Sequence, residues 1–146
     1  KAKATLNDST STNVATESQQ YIGLFPVDTS IDASLPTDGI YFVKADGGTT
    51  VQCITRVGSS NTTTSVTAAT FTQDKSSHRF GISVFPAGDS LSTVEFNIDG
   101  VTVARHVNVS LPAVTVILAP TYAFRTGDAT GTKWADVDFL GAYQDR

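Results

Sequence analysis

Methionine is absent from this chain, tryptophan and cysteine occur once each (Trp134, Cys53), and glutamate occurs only at Glu17 and Glu95. With a single cysteine, no intrachain disulfide can form. Lysine and arginine total 10 against 14 aspartates and glutamates, a net charge of -4, and the basic residues are not clustered. Nucleic-acid binding needs concentrated cations to displace counterions, so that function is not expected. The longest apolar runs, such as 114–120, fall far short of the roughly 20 residues of a membrane-spanning helix. Helical periodicity is missing too: no window of eleven residues carries an apolar stripe.

What the chain has in abundance is threonine, valine and serine, together about a third of its 146 residues. β-Branched side chains lose rotamer freedom in a helix and pack well on a pleated surface. The length suits one domain, large enough to bury roughly 70% of its unfolded surface without staples. A single domain over 1–146 is therefore expected, with 1–20 forming a strand plus a variable loop. The chain opens without an initiator methionine or a charged-then-apolar leader. It is expected to be processed, or to be the ordered part of a longer product with a segment upstream.

Ten strands are expected, at 1–6, 20–27, 39–45, 50–57, 62–71, 78–86, 93–98, 101–109, 114–124 and 133–143. In the fourth, Val51 and Cys53 share a face with Thr55 and Val57. Phe80, Ile82 and Val84 share a face in the sixth, and Val94, Phe96 and Ile98 in the seventh. Asp99-Gly100, between two alternating runs, is a strong hairpin signal because both residues of a type I′ turn need positive φ. Asp46-Gly47-Gly48 and residues 58–61 are the other turns, and 7–19, 28–38 and 125–132 read as surface loops. Ten strands in one domain cannot bury a face in one open sheet. The expected architecture is all-β, a two-sheet antiparallel β-sandwich.

The strings GLFPVDTS, GIYFVKADGG, TTTSVTAATF, HRFGISV, VEFNIDGVTVARHV, LP and WADVDFLGAYQDR follow one another in order. From about Tyr21 onward this succession resembles virion structural proteins of tailed bacteriophages that have a concanavalin A-like (laminin-G-like) jelly roll. In particular it resembles the capsid decoration, or cement, and surface proteins of marine and cyanobacterial phages. The resemblance implies a non-enzymatic role on the capsid surface of the virion, with the major capsid protein and further copies of the chain as partners. The candidate contact surfaces are 1–20, 28–38 and 144–146. The alternative is a carbohydrate-binding module on a phage surface or tail fibre that holds host glycans, for which Trp134 and Tyr122 are the candidate stacking rings.

No catalytic residues, cofactor or metal are assigned. Glycosidases need two carboxylates about 5–9.5 Å apart, whereas Glu95 and Asp99, four residues apart on one strand face, stand roughly 13 Å apart. A solvent-facing Glu95 and a turn-forming Asp99 explain them better. Asp136 and Asp138, with Asp128, could present oxygens to a hard cation, but a solvated face opposite Val137 and Phe139 is the simpler account. His78 and His106 lack metal-ligand neighbours and are expected at the surface or against a partner. Cys53, in register with Val51, is expected to be a buried structural thiol. Three Asn-x-Ser/Thr sequons (Asn7, Asn61, Asn108) are attributed to the abundance of serine and threonine.

Overall fold

The computed structural model describes residues 1–4, 18–26, 35–45, 50–58, 60–66, 76–86, 91–113, 115–126 and 137–142. Among them lie ten strands: β1 Ala2–Ala4, β2 Ser18–Phe25, β3 Gly39–Lys44, β4 Val51–Val57, β5 Ser60–Ser65, β6 His78–Pro86, β7 Leu91–Ile98, β8 Val101–Ser110, β9 Ala119–Thr126 and β10 Val137–Leu140. They form two five-stranded antiparallel sheets, β10-β1-β6-β7-β8 and β5-β4-β3-β2-β9. The molecule is an all-β sandwich of two antiparallel sheets, as expected. Within the sheets, β2 to β5 and β6 to β8 run as meanders. The first two strands pair with the last two, β1 with β10 and β2 with β9. No helix among the described residues is long and apolar enough to cross a membrane.

The core lies between the sheets. Ile22, Ile40, Phe42, Val51 and Cys53 face Ala2, Ala4, Phe80, Val94, Phe96, Ile98 and Val109. Phe42 stands edge-on to both Phe80 and Phe96, with centroids 5.2 Å away in each case. These T-shaped contacts add to area burial and tie the second sheet to the first. The faces expected for Val51/Cys53/Thr55, Phe80/Ile82/Val84 and Val94/Phe96/Ile98 are the faces observed.

β3 departs from simple alternation, since all six of its residues are buried. Ile40 and Phe42 enter the inter-sheet core. Tyr41 and Val43 join Tyr21, Phe25 and Ile54 in a second apolar cluster, with Leu35 and Ala123 packed against it. A strand buried on both faces has a nearly continuous apolar run, and GIYFVK is one. Gly23 makes the close pairing of β2 with β3 possible. A Cβ there would stand 2.3 Å from the Ile40 carbonyl oxygen.

β8 is irregular for a physical reason. Its odd-numbered valines suggest a face of Val101, Val103, Val107 and Val109. Register shifts opposite Phe96/Asn97 and Ser92/Val94 break that count. Past the first bulge Ala104 and His106 point inward. Past the second, at Val107 and Asn108, Val109 returns to the core. Asn108 takes φ 56° there, a left-handed conformation that asparagine tolerates better than most residues. The strand expected over 114–124 begins later, at Ala119. Before it, the Val116 amide donates to the Ala113 carbonyl at 2.8 Å, and Ile117 is 85% exposed.

Candidate functional site

The Asp99-Gly100 turn forms as expected, with φ 51° and 86°. The Asp99 carboxylate ties the turn to the start of β6. Oδ1 accepts from the Arg79 amide at 2.8 Å, and Oδ2 lies 2.6 Å from His78 Nδ1. Desolvation pushes the carboxyl up, but the Arg79 amide, His78 and the Arg79 charge outweigh it and hold the group below its ordinary value. Glu95 is on the outer face of β7, paired with Arg105 of β8 at 3.3 Å. Each acid has its own local partner, and the two do not converge on a common point.

His106 is a correction to the expected surface position. Only 3% exposed, it lies on the inner face of β8 between the two sheets. Nδ1 is 2.9 Å from Thr55 Oγ1 on β4, and Nε2 is 3.1 Å from Thr64 Oγ1 on β5. Its ring is tilted against Phe96 at 5.0 Å. Burial lowers its pKa. A threonine hydroxyl can donate or accept, so the pair satisfies either tautomer of the neutral ring. His106 is thus a bridge between sheets rather than a metal ligand. No group of three histidines, cysteines, aspartates or glutamates that could hold a metal ion occurs among the described residues. Asp138 is exposed on β10, while Asp128 and Asp136 lie outside the described residues.

The two candidate stacking rings fare differently. Trp134 lies outside the described residues. Tyr122 turns inward, packs against the inter-sheet core and donates its hydroxyl to Gln20 Oε1 at 3.2 Å. Tyr122 is half-buried in this position. Its register partner is Ile22, whose side chain belongs to the core. Alternation along β9 therefore directs Tyr122 inward. Cys53 is fully buried and free, and burial pushes its thiol up to about 12, where it is a structural, unreactive group. Of the sequons, Asn61 and Asn108 are exposed, and Asn7 lies outside the described residues. So do 144–146 and most of 1–20 and 28–38, the proposed contact surfaces.

Three features escaped sequence reasoning. First, Gln20 and Lys44, opposite each other in register, are both fully buried on the inner side of β2 and β3. No local signal marks a buried lysine. Second, Tyr21, Phe25 and Tyr41 form a triad of T-shaped contacts with centroids 5.7–6.3 Å apart. Tyr41 donates to the Pro36 carbonyl at 3.3 Å and its pKa is pushed up to about 12, chiefly by burial. The Tyr21 hydroxyl is buried with no hydrogen-bond partner among the described residues.

Third, large apolar side chains emerge on the outer face of the β6-β7-β8 sheet. Phe85 is 50% exposed and Val107 56%, with Leu91 at 37%. Phe85 pairs with Thr93, and Thr93 lies opposite the Val107–Asn108 bulge, so the two exposed residues flank Thr93 across three strands. Leu91 is two residues from Thr93 on the same face. The bulge that buries Val109 also presents Val107, which is why periodicity alone did not find this row.

Compared with protein-family models, with curated proteins and with solved structures, the chain matches none of them.

Proposed function

We propose that this chain is a non-enzymatic virion structural protein, a capsid decoration or cement protein on a concanavalin A-like sandwich. In this reading it sits on the capsid surface of a tailed phage, binds the major capsid protein and stabilises the shell. The ordered succession of motifs from GLFPVDTS to WADVDFLGAYQDR supports the family. The observation that carries the binding role is the row Phe85, Thr93 and Val107 with Leu91 beside it. Single exposed apolar residues are ordinary, but neighbouring ones on one sheet face are what a protein contact covers. The mechanism is mass action. A protein that binds the assembled shell and not its parts stabilises the assembly by RT ln(1 + [L]/Kd), about 2.7 kcal/mol per site at a hundredfold excess over Kd.

The test is shell integrity. Shells stripped of the protein are heated, or exposed to low salt and chelator, then resupplied with wild-type protein or Val107→Asp. Stripped shells should open at lower temperature, and the wild type should restore them. Val107→Asp, with unchanged unfolding behaviour of its own, should not. If stripping leaves shell stability unchanged, capsid bridging is wrong. Glycan binding, with Trp134→Ala as control, then becomes the reading to measure.

A further inference from the structure

Among the described residues, four strands end the two sheets: β10, β8, β5 and β9. Unpaired sheet edges are templates for another strand, and proteins blunt them with short length, proline, charge or bulges. β10 has four residues. β8 has two register shifts, a left-handed Asn108 and Arg105. β9 contains Pro120 and the exposed Arg125. β5, Ser-Asn-Thr-Thr-Thr-Ser, has none of these devices. It pairs with β4 in unbroken register over all six residues, and all but Thr64 are exposed.

The direction of its backbone groups follows from one bond. The Val66 amide donates to the Val51 carbonyl at 2.8 Å, and 66 opposite 51 continues the β4·β5 register. Hydrogen-bonded and non-bonded pairs alternate along an antiparallel ladder. Cys53/Thr64, Thr55/Thr62 and Val57/Ser60 are therefore the bonded pairs. The N–H and C=O groups of Asn61, Thr63 and Ser65 point away from β4, toward an edge that no described strand covers.

We infer that this edge pairs antiparallel with the same edge of a second copy, Thr63 opposite the partner's Thr63 and Asn61 opposite the partner's Ser65. Three considerations select that occupant and register. The outward groups sit at 61, 63 and 65, so a two-fold centred on Thr63 matches every outward N–H with an outward C=O. Six hydrogen bonds form and none of these groups is left over. A register displaced by one residue would set outward groups against inward-pointing ones. Finally, every cross-strand pair is then neutral, hydroxyl to hydroxyl or hydroxyl to amide, with no like-charge clash. An isologous contact of this kind closes as a dimer. It joins two five-stranded sheets into one of ten strands. The inference stands on ladder geometry, independently of the shell reading.

Sedimentation velocity across a concentration series tests it, up to about 1 mM, the order of concentration that tethered neighbours experience. Wild-type protein should pass from monomer to dimer. Thr63→Pro removes an outward N–H without touching the β4 ladder, and should stay monomeric with its unfolding transition retained. Thr63→Lys alone should be monomeric, and an equimolar mixture of Thr63→Lys with Thr63→Asp should regain the dimer, because residue 63 meets its own copy. If Thr63→Pro fails to fold, the lysine and aspartate variants still decide. A wild type that stays monomeric throughout, a dimer that persists in Thr63→Lys alone, or a mixture that does not re-associate overturns the inference.

Discussion

His106 of β8 and Thr55 of β4 join the two sheets of the sandwich through a buried contact of 2.9 Å between Nδ1 and Oγ1. Thr64 completes the bridge on the other ring nitrogen at 3.1 Å. Around the ring stand Phe96 and the hydroxyls of Thr55 and Thr64.

That setting fixes the sign of a pH effect. Burial lowers the pKa of His106 in the folded protein below its ordinary value of 6.5. The unfolded chain therefore binds the proton more readily. The stability is fully present above about pH 6.5 and is lost progressively as pH falls toward the folded value. Urea unfolding from pH 8 to pH 5 should show wild type losing stability through this window, with His106→Gln flatter across it. Equal slopes for the two proteins would show that His106 is not the group responsible. Asp99, whose pKa is also lowered, acts in a separate window, below the ordinary carboxylate value of 3.8.

Tyr21 offers a test in which losing an atom helps. Its hydroxyl is buried without a partner among the described residues, while its ring packs against Phe25 and Tyr41. An unsatisfied buried polar group costs about 1–3 kcal/mol. Tyr21→Phe keeps the ring and removes that cost, so it should raise stability by roughly 1 kcal/mol in chemical denaturation. A loss of similar size would mean that the hydroxyl has a partner in solution.

The strand count, the Asp99-Gly100 turn and the inward faces of β4, β6 and β7 were legible because each is a local property: β preference, turn chemistry and period-two alternation. His106 was not. Its burial depends on the bulge near Val103, which inverts the alternation that Val101, Val103, Val107 and Val109 suggest, and no residue in that stretch announces the bulge. The double burial of Tyr41 and Val43 likewise depends on a second apolar cluster assembled from Leu35, Ile54 and Ala123, far apart in sequence. Gln20 opens the strand expected over 20–27, yet its burial opposite Lys44 follows from a register that only the paired strands define.

Phe96 measures how strongly the two sheets depend on each other. It is fully buried and touches Phe42 across the core and His106 along its own sheet. Phe96→Ala should cost about 3–5 kcal/mol, a large share of the roughly 5–15 kcal/mol that holds a domain folded. Because the ring also shields His106, the variant should admit water there and lessen the pH dependence described above. A melt shifted by only a degree or two would place the inter-sheet contact elsewhere.

Cys53 should be silent to thiol reagents in the folded protein. The side chain is fully buried and its pKa is pushed up to about 12, so both access and thiolate fraction are suppressed. At pH 8 a disulfide reagent should label it only at the rate of unfolding, and promptly in denaturant. Fast labelling of the native state would reveal local opening between β3 and β5, the strands that flank it.

Among the described glycines, Gly23 is where an added methyl group would meet the backbone most closely. It lies opposite Tyr41 in the β2·β3 register, and an added Cβ would stand 2.3 Å from the Ile40 carbonyl oxygen and 2.6 Å from the Tyr41 Cα. Those are backbone atoms of a strand buried on both faces, so no flexible side chain can move aside. Gly23→Ala must instead push β2 away from β3, loosening the core contacts of Ile22 on one side and the aromatic triad on the other. Overpacking of this kind costs about 1–3 kcal/mol, occasionally more. Unfolding in urea should show that loss, and hydrogen exchange should speed up along β2 and β3 while β7 and β8 keep their protection. Uniform acceleration over both sheets would mean that the strain spreads through the whole sandwich rather than staying at this pairing.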